Sequence, residues 1–97
     1  MKDDFLTKDA ITYYSFFNKD SGNSIYIETS DNNKKCTKII LSDREYPSES
    51  NNMLIEYGNQ MVYEQAENKT YFIAVQALEN CGYSISVSCT KIPVTHL

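Results

Sequence analysis

The sequence predicts an all-β fold, a single antiparallel sandwich or barrel of about seven short strands. Three observations predict it. Apolar and polar residues alternate along several segments, which puts every second side chain on one face of a pleated strand. These segments recur about every 8–12 residues, separated by Asn-, Asp-, Ser- and Gly-rich turns. No segment sustains the helical period over about ten residues; "MLIEYGNQMVYEQAENK" comes nearest, and Gly58-Asn59 cuts it.

The elements follow in order. Residues 1–8 are polar and read as a lead-in to a sandwich domain over 9–90. "ITYYSFF" (Ile11–Phe17) is dense in β-branched and aromatic residues and stops at the turn cluster "NKDSGN". "SIYIETS" (Ser24–Ser30) alternates, with Ile25, Ile27 and Thr29 on one side and Tyr26 and Glu28 on the other. "DNNKK" breaks it, and "CTKIILS" (Cys36–Ser42) is a third strand, nearly apolar in its middle. "DREYPSESNN" is the longest loop, and Pro47 cannot donate to a ladder there.

"MLIEYG" (Met53–Gly58) and "QMVYEQ" (Gln60–Gln65) are two further strands, and Gly58-Asn59 between them supplies the positive φ of a tight hairpin. "TYFIAVQAL" (Thr70–Leu78) puts Tyr71, Ile73, Val75 and Ala77 on one face, with Phe72, Ala74, Gln76 and Leu78 on the other. "YSISVSC" (Tyr83–Cys89) sets Tyr83, Ile85, Val87 and Cys89 against three serines, the pattern of a half-buried antiparallel strand. With "ENCG" as a turn, "TYFIAVQALENCGYSISVSC" reads as two strands folded back on each other. Residues 91–97, with Pro93, read as an extended tail or linker.

Composition narrows the function classes. The 97 residues make one domain with one core, and a hydrophobic content of 41% is enough to build it. Net charge is −4, and no basic cluster exceeds Lys34-Lys35, which argues against nucleic-acid binding. No apolar run approaches the ~20 residues that span a bilayer. No apolar stretch follows Met1-Lys2-Asp3-Asp4, so these residues do not open a signal peptide; a secreted form implies a removed signal or a longer chain. Asn68-Lys69-Thr70 matches the glycosylation acceptor pattern. With three cysteines and Asn-, Ser- and Tyr-rich loops, this points to an extracellular or cell-surface setting.

The order "KDAITYYSFFN", "KIILSDREYP", "TYFIAVQALENCGYSISVS" resembles the bacterial pre-peptidase C-terminal domain and its relatives in secreted proteins of microbial eukaryotes. The resemblance runs from about Thr7 to Ser88, and its most specific pieces are Tyr71–Val75 and Gly82–Val87. It implies a jelly-roll-like β-sandwich attached to other domains. Members of the family are non-catalytic, appended to secreted proteases and surface proteins, and some relatives bind collagen or calcium. The family's third strand carries an Asp-Leu-Tyr run; this chain has Lys38-Ile39-Ile40-Leu41, so a role tied to that Asp does not carry over.

Candidate chemistry starts with the cysteines. Cys81 and Cys89 bracket a strand, and at about 3.3 Å per residue they stand ~26 Å apart, beyond the ~7 Å reach of a disulfide. Cys36 is left to partner one of them. Cys36–Cys81 is favoured, because both lie at strand ends beside polar turns; it would close a loop of about 45 residues. Cys89 is then a buried small apolar residue or a link to another chain or domain.

A thiol-protease constellation needs a histidine, and the sole one, His96, lies near the end of the chain after a proline. Zinc would need four close ligands, and phosphate a Gly-rich loop; neither is present in the sequence. The chain therefore reads as a non-enzyme with no cofactor. The one metal its acidic residues would suit is calcium, at Asp3, Asp4 and Asp9 or at Asp43, Glu45 and Glu49, against a default of solvated acidic surface.

Eight tyrosines and no tryptophan suggest a tyrosine-bearing surface, with Tyr26, Tyr46 and Tyr57 where exposure is expected. The bland alternative is cross-strand bracing of the sheet. The expected function is a non-catalytic extracellular module contacting protein or glycan within a larger secreted or surface protein. The alternative is a structural protomer of an extracellular fibre or coat that pairs with its own copies through strand edges and terminal segments.

Overall fold

A computed structural model describes residues 2–30 and 36–90. Eight strands lie among them: β1 (Lys2–Leu6), β2 (Ile11–Asn18), β3 (Ser24–Ser30), β4 (Thr37–Ser42), β5 (Leu54–Tyr57), β6 (Gln60–Tyr63), β7 (Lys69–Ala77) and β8 (Cys81–Thr90). They form two four-stranded antiparallel sheets, ordered β1-β8-β3-β6 and β2-β7-β4-β5. First pairs with last, second with seventh, third with sixth and fourth with fifth. That nesting is a long hairpin rolled over on itself, the jelly-roll form of the predicted antiparallel β-sandwich.

Strand faces follow the alternation. Ile25, Ile27 and Thr29 of β3, Ile39 and Leu41 of β4, and Tyr71, Ile73, Val75 and Ala77 of β7 are all buried. Tyr83 and Ile85 of β8 join them, with Met61 of β6. Each buried Ile, Leu, Val or Met side chain among them contributes about 1.5–3 kcal/mol by leaving water. Polar and covalent ties cross the gap between sheets. Tyr14 and Tyr83 share a hydroxyl hydrogen bond of 2.6 Å. Thr29 and Thr37 share one of 2.9 Å. Cys36, just before β4, is disulfide-bonded to Cys81, the first residue of β8, with Cα atoms 5.9 Å apart.

The structure corrects three expectations. Residues 1–8 are no mere lead-in: Lys2 to Leu6 form β1, in register with β8 from Lys2↔Ile85 to Leu6↔Cys81. This strand escapes a hydropathy reading because its sequence, KDDFL, is mostly charged and does not alternate, while backbone pairing with β8 builds it. The sandwich thus begins before residue 9 and has eight strands. Second, "TYFIAVQALENCGYSISVSC" is not a hairpin, since β7 and β8 belong to opposite sheets. Third, Gly58-Asn59 joins β5 to β6 across the sandwich rather than within one sheet. Gly58 does take a positive φ of 145°. Its N–H donates to the Thr37 carbonyl at 3.0 Å, and Thr29 N–H donates to the Asn59 carbonyl at 2.9 Å, so the corner is fastened to both sheets. Alternation says which face is buried; two strands can bury their faces in the same core from opposite sides. The tail over 91–97 and the turn "DNNKK" lie outside the described residues.

Candidate functional site

The site forms on the outer face of the β2-β7-β4-β5 sheet. In β2, Tyr14 and Phe16 pack toward the core, so Ile11, Tyr13, Ser15 and Phe17 point outward by the two-residue period. Register puts Tyr13 opposite Ala74 and Ser15 opposite Phe72 of β7. Ile40 and Ser42 of β4 continue these rows.

Ala74, Ile40, Lys38 and Ser42 face outward yet are almost fully buried. The segment between β4 and β5, residues 43–53, folds back onto this face as a flap, with Glu49 on Lys38, Asn51 on Ser42 and Tyr46 on Tyr13. Asn51 holds its shape. The Asn51 amide donates to the carbonyls of Glu45 at 2.9 Å and Tyr46 at 3.3 Å, and its oxygen accepts from Ser42 Oγ at 2.8 Å. The backbones of Ser48 and Asn51 bond each other, and Pro47 is buried beneath them.

Two ion pairs fasten the flap at its sides. Lys38 Nζ donates to Glu49 Oε1 and lies 5.0 Å from the centre of the Tyr57 ring. The Glu49 hydrogen bond holds the Lys38 ammonium above its usual value against the opposing effect of burial, and Lys38 holds the Glu49 carboxyl below its own. Lys69 bonds Asp43 and Glu67, each at 3.0 Å. The Lys69 hydrogen bond keeps the Asp43 carboxyl below its usual range.

At the tip of the flap, Tyr46 has a left-handed φ of 57°. That conformation is costly for a bulky residue and persists only when surrounding contacts impose it. It sets the Tyr46 ring edge-on to Tyr13, with centroids 5.2 Å apart and planes at 89°. The touching pair borders a cavity of about 260 Å³, lined by Tyr13, Ser15, Glu45, Tyr46, Pro47 and Phe72 among others. Tyr46 and Tyr57 are 65% and 67% exposed, so the face offers large rings to solvent.

The three sequence-predicted tyrosines therefore do not share one surface. Tyr46 and Tyr57 lie on this face, while Tyr26 of β3 belongs to the other sheet, half-buried between Val62 and Ser88. Tyr13 and Phe72, which line the cavity, were missed. Both faces of "ITYYSFF" are apolar, so alternation gave no sign of which rings would be inside. Tyr71 and Tyr83 are buried with bonded hydroxyls, the former accepting from Glu67 N–H at 2.8 Å.

Of the loop carboxylates weighed for calcium, Asp43 and Glu49 are engaged by lysines and Glu45 lines the cavity. Asp9 is exposed, and the side chains of Asp3 and Asp4 are outside the described set. No group of three or more His, Cys, Asp or Glu suited to a metal ion occurs among the described residues. Asn68 and Thr70 of the glycosylation pattern are both exposed, and the Asn68 amide donates to the Lys19 carbonyl at 2.6 Å. Cys89 is a free, half-buried thiol packed against the core, and burial pushes its pKa up. His96 lies outside the described residues.

No family model matches the chain, and no curated protein matches its sequence. The fold is similar to the crystal structure of PliG from Aeromonas hydrophila, a periplasmic lysozyme inhibitor of g-type lysozyme. The TM-score is 0.71 at 13% identity, over 91% of this chain and 82% of that one. Identity this low establishes a shared fold and nothing finer. The Cys36–Cys81 bridge fits an extracellular setting, where such bonds persist. No helix among the described residues is long and apolar enough to cross a membrane.

Proposed function

We propose that this chain is a non-catalytic extracellular module that binds another protein through the outer face of the β2-β7-β4-β5 sheet and its flap. The observation that carries the reading is Tyr46, a largely exposed ring held out on a left-handed backbone by the Asn51 network. Stability does not require an exposed ring in a strained position, whereas rigid exposed tyrosines are common anchors of protein interfaces. The likeness to PliG supports it, since that protein, a periplasmic lysozyme inhibitor, shares this frame. The resemblance to pre-peptidase domains points the same way, toward a non-catalytic appendage of secreted proteins.

Surface plasmon resonance against a panel of secreted proteins, including a g-type lysozyme and collagen, tests the reading. Binding to one of them is expected, weakened about tenfold or more by Tyr46→Ala. Binding that ignores both Tyr46→Ala and Tyr57→Ala overturns the choice of face. A panel without a single binder overturns the module reading.

A further inference from the structure

Resting on the reading of this face as a protein-binding surface, we propose that the cavity bordered by Tyr13 and Tyr46 receives the cationic head of a lysine or arginine side chain from the partner. The face of a tyrosine ring is electron-rich and attracts a cation within about 6 Å of its centre. Elsewhere the chain meets this preference internally. Lys38 sits over Tyr57 and is paired with Glu49. Lys69 lies 5.9 Å from the centre of Tyr71 and is paired with Asp43 and Glu67. Each arrangement has a ring, a carboxylate and a resident lysine.

The cavity repeats that arrangement without the lysine. Tyr13 and Tyr46 supply two rings at right angles and Phe72 a third aromatic lining, and Glu45 is the acidic residue of the lining. No lining residue is cationic. Perpendicular aromatic walls with an acidic neighbour form the kind of cage that recognises organic cations. At about 260 Å³ the space suits one side-chain head rather than an oligosaccharide. The net charge of −4 adds a long-range pull on a basic partner.

The test is NMR titration of the whole chain, observed at backbone amides, with N-acetyl-arginine amide, its neutral isostere N-acetyl-citrulline amide, and N-acetylglucosamine. The arginine probe is expected to move the amides of Tyr13, Ser15 and Tyr46 with a Kd on the order of millimolar. The citrulline probe should bind roughly fivefold more weakly, and Glu45→Gln should weaken the arginine probe by roughly the same factor. Tyr46→Phe keeps the ring and should keep the binding. Equal response to arginine and citrulline probes overturns the inference, as does a sugar that moves these amides when arginine does not, or no response to any probe. Partner binding that survives Glu45→Gln also overturns it, while leaving the protein-binding reading intact. Arginine-probe binding, if the panel of secreted proteins yields no binder, supports the pocket chemistry and overturns that broader reading.

Discussion

Asn51 shows how much of the site depends on one side chain. Its amide spans the base of the flap at Ser42 and the tip at Glu45 and Tyr46. Asn51→Ala removes these bonds from a half-buried position, at an expected cost of about 1–2 kcal/mol in urea unfolding. It should also free the Tyr46 ring, seen as loss of NOEs between Tyr13 and Tyr46. Charge at the same scale makes stability depend on pH. Asp43 and Glu49 titrate in the folded chain below their usual values of 3.8 and 4.5, because Lys69 and Lys38 hydrogen-bond their charged forms. The unfolded chain therefore binds more protons in acid. The stabilisation is complete above about pH 5 and is lost as pH falls through and below those values. The thermal midpoint should stay level from about pH 7 to about pH 5 and then drop; Lys38→Met, which removes Glu49's partner, should lessen the drop.

At the scale of elements, β1 is the instructive case. It closes one edge of the β1-β8-β3-β6 sheet through five register pairs, from Lys2↔Ile85 to Leu6↔Cys81. A chain begun at Thr7 should melt several degrees lower, and it should self-associate through the bared edge of β8, as size-exclusion chromatography would record. An unchanged melting point with a monomeric elution would mean that β1 contributes nothing. The sequence made β3, β7 and β8 legible because each buries alternate residues, and their faces could be read directly from Ile25, Tyr71 and Tyr83. It left β1 hidden because the edge strand KDDFL has no such period. Pairing was illegible too: β5 and β6, like β7 and β8, look like hairpins until the two sheets are seen. Only half of the site was readable. Tyr46 and Tyr57 stand out as tyrosines beside turns, but the flap that contacts Lys38, Ser42 and Tyr13 arises from contacts between separate segments, with no local signature.

For the molecule as a whole, the Cys36–Cys81 bridge is the largest single constraint. It spans 45 positions and joins one sheet to the other. Closing a loop of this length lowers the entropy of the unfolded chain enough to stabilise the fold by about 4 kcal/mol. Urea unfolding with and without reductant should differ by about that amount; a difference near zero would mean that the sheets hold without it. The bridge was legible because Cys81 and Cys89 stand too far apart along one strand to pair, leaving Cys36 to join one of them.

The same bridge governs the response to mechanical pulling. Load applied at Thr90 peels β8 like a zipper, parting Ser24↔Thr90 first and arriving finally at Cys81. There the tear halts, since the 45-residue span back to Cys36 is tethered at both ends. At ~3.4 Å per residue, that span withholds roughly 150 Å of slack until a reductant cuts it. Tension and redox state would then act as two keys to one lock, with the sheets able to give way early while the chain stays short.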